Sequence, residues 1–301
     1  SLVGSEMCIR DRMYSEFISS EGLIRDAIKS KKKLDIFDYE RPVGIQIFGG
    51  DEEAMAMSAK IVETVQPDLV DINFGCPVKK VVSKGAGAGV LKDIDLMVKL
   101  TKAVVNSTEL PVTVKTRLGW DTESINIEEV AERLQEVGIK ALTIHARTRT
   151  QMYKGKADWE YISKVKNNPN IEIPIFGNGD IDSPETALEY REKYNIDGMM
   201  IGRGAIGYPW IFNEIKHFFQ TGEKLPPPTI KDRLEAVRQH AEWSAEWKGE
   251  RAGLIEMRQH YSNYFRGIPH FKEYRTKFLQ VLTMQEMESV LEEIYTQLDK
   301  E

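Results

Sequence analysis

Hydrophobic and polar positions along this chain follow two periods that take turns. Short apolar runs rich in β-branched residues, at 13–18, 43–47, 69–73, 112–115, 141–145, 173–176 and 198–201, read as strands. Longer stretches between them read as helices: 52–65, with Ala54, Met57, Ile61 and Val65 on one face, then 93–105, 127–137 and 183–194. Ser183 and Pro184 supply an N-cap and a first-turn proline for the last of these. Strand alternating with helix at this spacing predicts a parallel sheet. The runs number seven, one short of a closed barrel. The expected fold class is therefore α/β, a (β/α)8 TIM barrel lacking its first βα unit; an open doubly wound sheet, which needs no missing unit, is the alternative. Residues 1–12 have neither period and look like translated sequencing adapter, so they are set aside as foreign; an ordinary disordered terminus is the plainer reading. Both leave Cys8 without a role.

Polar side chains gather where the runs end. Gln46, Asn73, Lys115, His145, Asn178 and Arg203 each lie within or just after the last residues of a run. Any one could be an ordinary strand terminator, but six in register favour a barrel, whose catalytic groups come from the C-terminal ends of several strands. Gly177-Asn178-Gly179-Asp180 and Gly202-Arg203-Gly204 follow the last two runs, where barrels commonly bind phosphate through backbone N–H groups. A phosphorylated cofactor is expected there, with Arg203 adding a cation. Asp180 could instead cap the next turn.

The stretch Asp71-Ile72-Asn73-Phe74-Gly75-Cys76-Pro77 is where chemistry is expected. Asp71 and Asn73 share one side of the strand, and Gly75 and Pro77 end it so that Cys76 sits in a loop beyond its C-terminal end. The plainer reading makes Cys76 a small buried hydrophobe. Its neighbours weigh against that. Gly85-Ala86-Gly87-Ala88-Gly89, preceded by Lys79, Lys80 and Lys84, reads as a flexible cationic loop, or else as glycines that permit close packing. After His145 comes a second cationic loop, with Arg147, Arg149, Lys154 and Lys156 interleaved with Tyr153 and Trp159. Such a mouth suits a polyanion with a base splayed into the pocket, or is simply solvated surface.

The proline triplet in Thr221 to Pro228 breaks the pattern and reads as a stiff spacer. Beyond it the period is helical throughout, at 231–247, 253–265, 271–281 and 285–298. The chain is thus divided into 1–12, a barrel domain over 13–222, a linker at 223–230 and a helical domain over 231–301. Arg258, Arg266, Lys272, Arg275 and Lys277 meet one acidic residue, Glu273, with Tyr261, Tyr264, Phe265, Phe271 and Tyr274 among them. The mixture can grip phosphates and stack on bases; equally, the aromatics are core and the cations the wet face.

Composition narrows the class. With 301 residues, 41% hydrophobic and 29% charged, the chain can bury a large core, and a net charge of −6 excludes a uniformly basic nucleic-acid binder but permits a basic patch. No apolar run is long enough to cross a bilayer, and no secretory signal opens the chain. With two cysteines, a disulfide framework is not expected and the cytoplasm is. No metal site is expected, and a monomer is.

Taken together, the residues resemble the tRNA-dihydrouridine synthases, most closely the bacterial B-type branch. The resemblance covers nearly everything from Met13 onward: the 71–77 stretch with Lys79-Lys80 and Lys84-Gly85-Ala86-Gly87, Val112-Thr113-Val114-Lys115-Thr116-Arg117 with Gly119-Trp120, Thr143-Ile144-His145-Ala146-Arg147-Thr148, Gly177 to Asp180, Met200 to Gly204 and Pro209 to Phe212. It implies an FMN-dependent barrel with a helical tRNA-binding domain and NADPH as electron donor. Position by position, it implies that Gln46, Lys115, Asn178, Gly179, Asp180, Gly202 and Arg203 bind FMN, with His145 close to the flavin and the substrate uracil. It makes Cys76 the proton donor and places Asn73 near flavin and uracil, with Arg147 where the family approaches RNA. Lys79, Lys84, Arg149, Arg258, Arg266, Lys272, Arg275 and Lys277 complete the expected RNA-facing set. Ala146 replaces a usual glycine, and residues 1–12 lack the family's Pro-Met-Ala-Gly-type first strand.

The implied chemistry agrees with the residues. Reducing the C5–C6 bond of a uracil takes a hydride from reduced flavin and a proton from one positioned acid, and a thiol with a pKa near ~8.5 is mostly protonated at neutral pH. Lys115 would favour an anionic reduced flavin. No separate dinucleotide fingerprint is visible. Two other readings stay open: a flavin barrel reducing free pyrimidines, against which the cationic tail counts, and an RNA-binding fragment whose barrel fails to hold flavin.

Overall fold

The computed structural model describes residues 11–25, 27–269 and 271–298. Residues 1–10, Cys8 included, lie outside the described residues. Contacts divide the chain into two compact units: Asp11–Ile181 with Thr186–Gly202, and Asp182–Glu185 with the chain from Arg203 onward.

The first unit is a single parallel sheet of β1 (Met13–Tyr14), β2 (Ile18–Ser19), β3 (Val43–Phe48), β4 (Leu69–Asn73), β5 (Val112–Arg117), β6 (Ala141–His145), β7 (Ile175–Asn178) and β8 (Gly198–Met200). The order runs β1-β3-β4-β5-β6-β7-β8, with β2 also paired to β3. Since β1 and β2 share one side of β3, the eight segments fill seven strand positions. Each strand is laid beside the one before it, whereas a doubly wound sheet reverses direction at a switch point. That sequential order is the order of a (β/α) barrel wall and removes the doubly wound alternative. Among the described residues, the outer sides of β1 and β8 pair with no further strand.

Two strand expectations shift for physical reasons. The first run is interrupted between Tyr14 and Ile18, where the Gln46 N–H is taken by Ser15 Oγ at 3.1 Å instead of by a backbone carbonyl. The run expected at 173–176 forms its strand at Ile175–Asn178, because Pro174 has no N–H to give the ladder and only accepts, from Leu142 N at 3.0 Å.

Short helices α1 (Ser20–Ile24) and α2 (Ile28–Lys32) precede β3; α3 (Glu52–Glu63), α4 (Lys79–Val82), α5 (Ile94–Val105), α6 (Ile127–Val137), α7 (Glu160–Lys166) and α8 (Pro184–Tyr194) lie between or beside the strands. Asp51 and Asp93 cap α3 and α5 by accepting from Ala54 N and Leu96 N at 2.8 and 2.9 Å. Ile45, Ile47, Val70, Ile72, Val114 and Leu142 share one face of the sheet and are buried. The opposite face is polar: Gln46, Asp71 and Thr113 make one row, and Asn73, Lys115 and Thr143 the next. This inversion of polarity across one sheet positions the site.

The second unit holds α9 (Ile211–Thr221), α10 (Ile230–Lys248), α11 (Glu250–Met257), α12 (Tyr261–Tyr264), α13 (Phe271–Phe278) and α14 (Met284–Leu298). Thr229 and Asp232 form a capping box at the start of α10. The helix expected over 253–265 is two, α11 and α12, separated by a turn at Arg258–His260.

Candidate active site

The polar face carries a chain of hydrogen bonds that begins at Asp71, wholly buried on β4. Thr113 Oγ1 donates to Asp71 Oδ1 at 2.5 Å, and Gln46 Nε2 donates to Asp71 Oδ2 at 2.6 Å. Asn73 Nδ2 then donates to Gln46 Oε1 at 2.6 Å. Asn73 Oδ1 accepts from the backbone N–H groups of Gly75 and Cys76, at 2.9 and 3.0 Å. Alternation along β4 accounts for the pairing, since Asp71 and Asn73 point the same way while Ile72 points into the apolar layer.

Arg117, the last residue of β5 and buried, holds the same loop from the other side. Its Nε donates to Gly75 O at 2.7 Å, and its Nη1 donates to Thr148 O and Met152 O at 3.1 and 2.9 Å. The peptide unit joining Gly75 to Cys76 is therefore held at both ends, N–H by Asn73 and C=O by Arg117. Cys76 itself is 6% exposed.

The glycine-rich stretch after it is packed, not a loose cationic loop. Ala86, Gly87 and Ala88 are buried, and Ala88 N donates to Cys76 O at 3.0 Å. Gly87 has φ +54, and a Cβ there would stand 3.0 Å from Cys76 O and 3.1 Å from Cys76 Cβ. Gly87 and Gly89 serve close approach; Lys79, Lys80 and Lys84 are exposed around them.

Lys115 sits beside Asn73 and Thr143 in register. It is half-buried and makes no hydrogen bond or ion pair among the described residues. Burial, then repulsion from Arg117, pushes its ammonium down to about 8, against the pull of Asp71 and Cys76. Burial drives Asp71 up to about 6, opposed by its bonds from Thr113 and Gln46 and by the charges of Lys115 and Arg12. Arg117 is lowered to about 10, again chiefly by burial.

His145 and Asn178 face each other in register at the ends of β6 and β7. His145 is buried, its ring 6.2 Å from that of Tyr153, and Asn178 Nδ2 donates to Met200 O at 2.7 Å. Gly179, at φ +132, gives its carbonyl to Trp159 Nε1 at 3.0 Å. Trp159, expected at the mouth, is 1% exposed and lies under Gly177, while Tyr153 is 51% exposed. Arg147, expected to face RNA, is 2% exposed; its Nη2 donates to both oxygens of Asp180 and to Gly155 O. It holds the loop that carries Arg149, Lys154 and Lys156. Arg149 lies 4.6 Å from the Trp120 ring centre, and Lys92 lies 3.9 Å from it. Gly202 ends the first unit, and nothing lies within 4 Å of the place a Cβ would take there.

The structure thus gathers Gln46, Asn73, Cys76, Lys115, His145, Asn178, Gly179 and Asp180 at the C-terminal ends of adjacent strands. Arg203 and the five C-terminal cations belong to the second unit. There the aromatics are core: Tyr261, Tyr264, Phe265, Phe271 and Tyr274 are buried, with Tyr261 stacked on Phe278 at 4.2 Å and Phe265 on Phe271 at 4.5 Å. The reading in which they stack on bases is thereby corrected. Arg203, Arg266, Lys272, Arg275 and Lys277 are exposed, Lys277 pairing with Glu293, and Arg258 is half-buried.

Sequence reasoning gave Asp71 and Arg117 no role. A signal existed for Asp71: a carboxylate in an apolar run, on the same side as Asn73. Arg117 lay one strand period beyond Lys115, which puts it on the same face.

The family model described as "Dihydrouridine synthase (Dus)" matches residues 5–299. The "Probable tRNA-dihydrouridine synthase 1" of Synechocystis sp. is 39% identical over 281 residues, covering 93% of this chain and 78% of that protein. The "tRNA-dihydrouridine synthase B" of Pseudomonas aeruginosa is 38% identical over 264 residues, covering 88% and 79%. That of Shewanella oneidensis is 36% identical over 284 residues, covering 94% and 87%.

Proposed function

Because this chain belongs to the dihydrouridine synthase family, we propose that it reduces the C5–C6 double bond of uridines in tRNA to 5,6-dihydrouridine, with FMN as cofactor, NADPH as the source of electrons and Cys76 as the proton donor. The observation that carries this reading is Lys115, a half-buried cation without a hydrogen bond among the described residues, on the same polar face as the Gln46 and Asn73 amides and next to β4, whose following loop carries Cys76.

These residues fit a flavin. A lysine whose charge is disfavoured by burial gains from an electron-rich ring edge, and Lys115 would hold that edge. Gln46, His145, Asn178 and Gly179 would line the rest, with the backbone at Gly202 toward the phosphate; Asp180, its carboxylate held by Arg147 and Ala157 N, would serve through the loop it fixes, and Arg203 is the cation assigned to the same group. Bound and reduced, the flavin supplies the hydride.

The chain's own groups do the rest. The Sγ of Cys76 delivers its proton to the other carbon of the double bond, so the uracil gains one hydride and one proton. Asn73 and Arg117 fix the peptide that carries the thiol, and Arg117 ties it to the loop bearing Tyr153. Lys79, Lys84, Arg149, Arg258, Arg266, Lys272, Arg275 and Lys277 are the cations assigned to the RNA backbone; Arg147 acts on that backbone through the loop it holds.

The experiment is to purify the protein, record its visible spectrum and assay unmodified tRNA with NADPH. The expected result is a flavin absorption band that NADPH bleaches and dihydrouridine in the tRNA. Cys76→Ala should keep the bleaching and lower dihydrouridine formation by roughly 100-fold or more. A colourless protein, or a Cys76→Ala variant with unchanged turnover, overturns the assignment.

A further inference from the structure

The hydrogen bonds below Cys76 have a direction, and that direction needs an anchor. A side-chain amide donates from its nitrogen and accepts at its oxygen, so a row of amides can run one way or the other. At the upper end, the N–H groups of Gly75 and Cys76 require an acceptor, and Asn73 Oδ1 provides it. Asn73 is then left with Nδ2, which must find an acceptor, and Gln46 Oε1 takes it at 2.6 Å. Gln46 is left with Nε2. At the lower end stands Asp71, whose ionised carboxylate only accepts; it receives Gln46 Nε2 and the Thr113 hydroxyl.

We infer that Asp71 is a positioning residue: by offering only acceptors at the foot of the row, it fixes which way the Gln46 and Asn73 amides point, and through them the seat of Cys76. A hydroxyl or an amide at position 71 could either donate or accept, so only the loop N–H groups at the upper end would still hold the direction. A carboxylate admits one. Its burial is costly unless every oxygen is bonded, and here each has a donor. The inference rests on the proposed function only for its consequence in catalysis. The test below reads the thiol without cofactor or tRNA, so the two can fail separately.

Because the row has a direction, it can be reversed. Asn73→Asp sets an acceptor at each end of Gln46, whose amide can satisfy only one, so the loop above should loosen. Adding Asp71→Asn supplies a donor at the foot, and the row closes in the opposite sense: Asn at 71 to Gln46 Oε1, Gln46 Nε2 to Asp at 73, and the loop N–H groups to its other oxygen. Adding Asp71→Leu instead removes the same charge without supplying a donor. The double-mutant comparison therefore separates direction from mere charge.

The measurement is the rate at which iodoacetamide alkylates Cys76 in flavin-free protein, in a Cys8→Ser background. Asp71→Asn alone should change the rate by less than about 3-fold, since the isosteric amide can still accept from Gln46. Asn73→Asp should raise it by roughly 10-fold or more. The Asp71→Asn/Asn73→Asp pair should return to within about 3-fold of the unaltered chain, and Asp71→Leu/Asn73→Asp should stay fast. If Asn73→Asp does not fold, the same comparison is read as recovery of folded protein by the Asn pair and not by the Leu pair. Rescue by both pairs, or by neither, overturns the inference.

Discussion

Arg147 turns a single nitrogen, Nη2, onto both carboxylate oxygens of Asp180, at 2.8 and 2.6 Å, and Asp180 Oδ2 also accepts from Ala157 N at 2.8 Å. With Nη2 on Gly155 O and Nε on Lys154 O, one guanidinium closes the whole 147–157 loop against the end of β7. Removing it leaves a carboxylate that is only partly solvated without its countercharge. Arg147→Met should therefore cost about 2–3 kcal/mol in urea unfolding, the cost of breaking a buried pair reduced for the exposure of Asp180. Trypsin should then cut at Lys154 and Lys156 several-fold faster. Unchanged unfolding and cleavage would show that the loop stands without the pair.

Gly87 bears on Cys76 by contact. Its φ of +54 disfavours a side chain, and a Cβ would also meet Val81 Cγ1 at 2.9 Å. Gly87→Ala should lose about 1–3 kcal/mol of stability and displace Cys76, whose Cβ and carbonyl are the other near atoms. Denaturant titration reads the first effect and iodoacetamide the second. Gly85 is the control: it also has positive φ, but nothing lies within 4 Å of its Cβ position, so Gly85→Ala should carry the backbone cost and leave the thiol alone.

Much of this was legible in the sequence, and the parts that were not share a cause. Strand runs and their polar tips gave the parallel sheet, its sequential order and the grouping of Gln46, Asn73, Lys115 and His145, because period-two alternation is a local property. What a residue touches across the sheet is not local. Arg147 and Trp159 look like surface groups in a basic loop; Asp180, more than thirty residues on, pulls the first inside, and bare Gly177 lets the second pack beneath it. The glycines at 85–89 read equally well as loose or tight until Cys76 was seen against Gly87. In the helical unit, cations and aromatics alternate so evenly that only the packing showed the rings turned inward.

The buried charges predict a pH signature. Asp71 titrates at about 6 in the folded chain against 3.8 ordinarily, so between those values the folded protein holds a proton that the unfolded chain has lost. Its contribution is full below about pH 4 and is lost as the pH rises through 6, about 2–3 kcal/mol in all. Lys115 runs the other way: lowered from 10.5 to about 8, it gives up its proton earlier when folded, so stability gains as pH climbs from 8 toward 10.5. The difference in unfolding free energy between the unaltered chain and Asp71→Asn should slope downward from pH 4 to 6 and be flat above 7. A flat difference across the whole range would mean that Asp71 does not titrate there.

The second unit separates stability from RNA binding along α13. Phe271, Tyr274 and Phe278 are buried on one side, while Lys272 and Arg275 are exposed on the other. Phe278→Ala empties a fully buried site stacked on Tyr261 and should cost about 3–5 kcal/mol. Lys272→Glu with Arg275→Glu should change stability by less than about 0.5 kcal/mol per site. If these cations meet phosphates, the same pair should weaken tRNA binding and flatten the plot of log affinity against log salt by about 0.7–0.9 for each phosphate that is no longer neutralised. Filter binding between 50 and 200 mM salt would read the slope. A parallel line, shifted or not, would take this face of α13 out of the RNA interface.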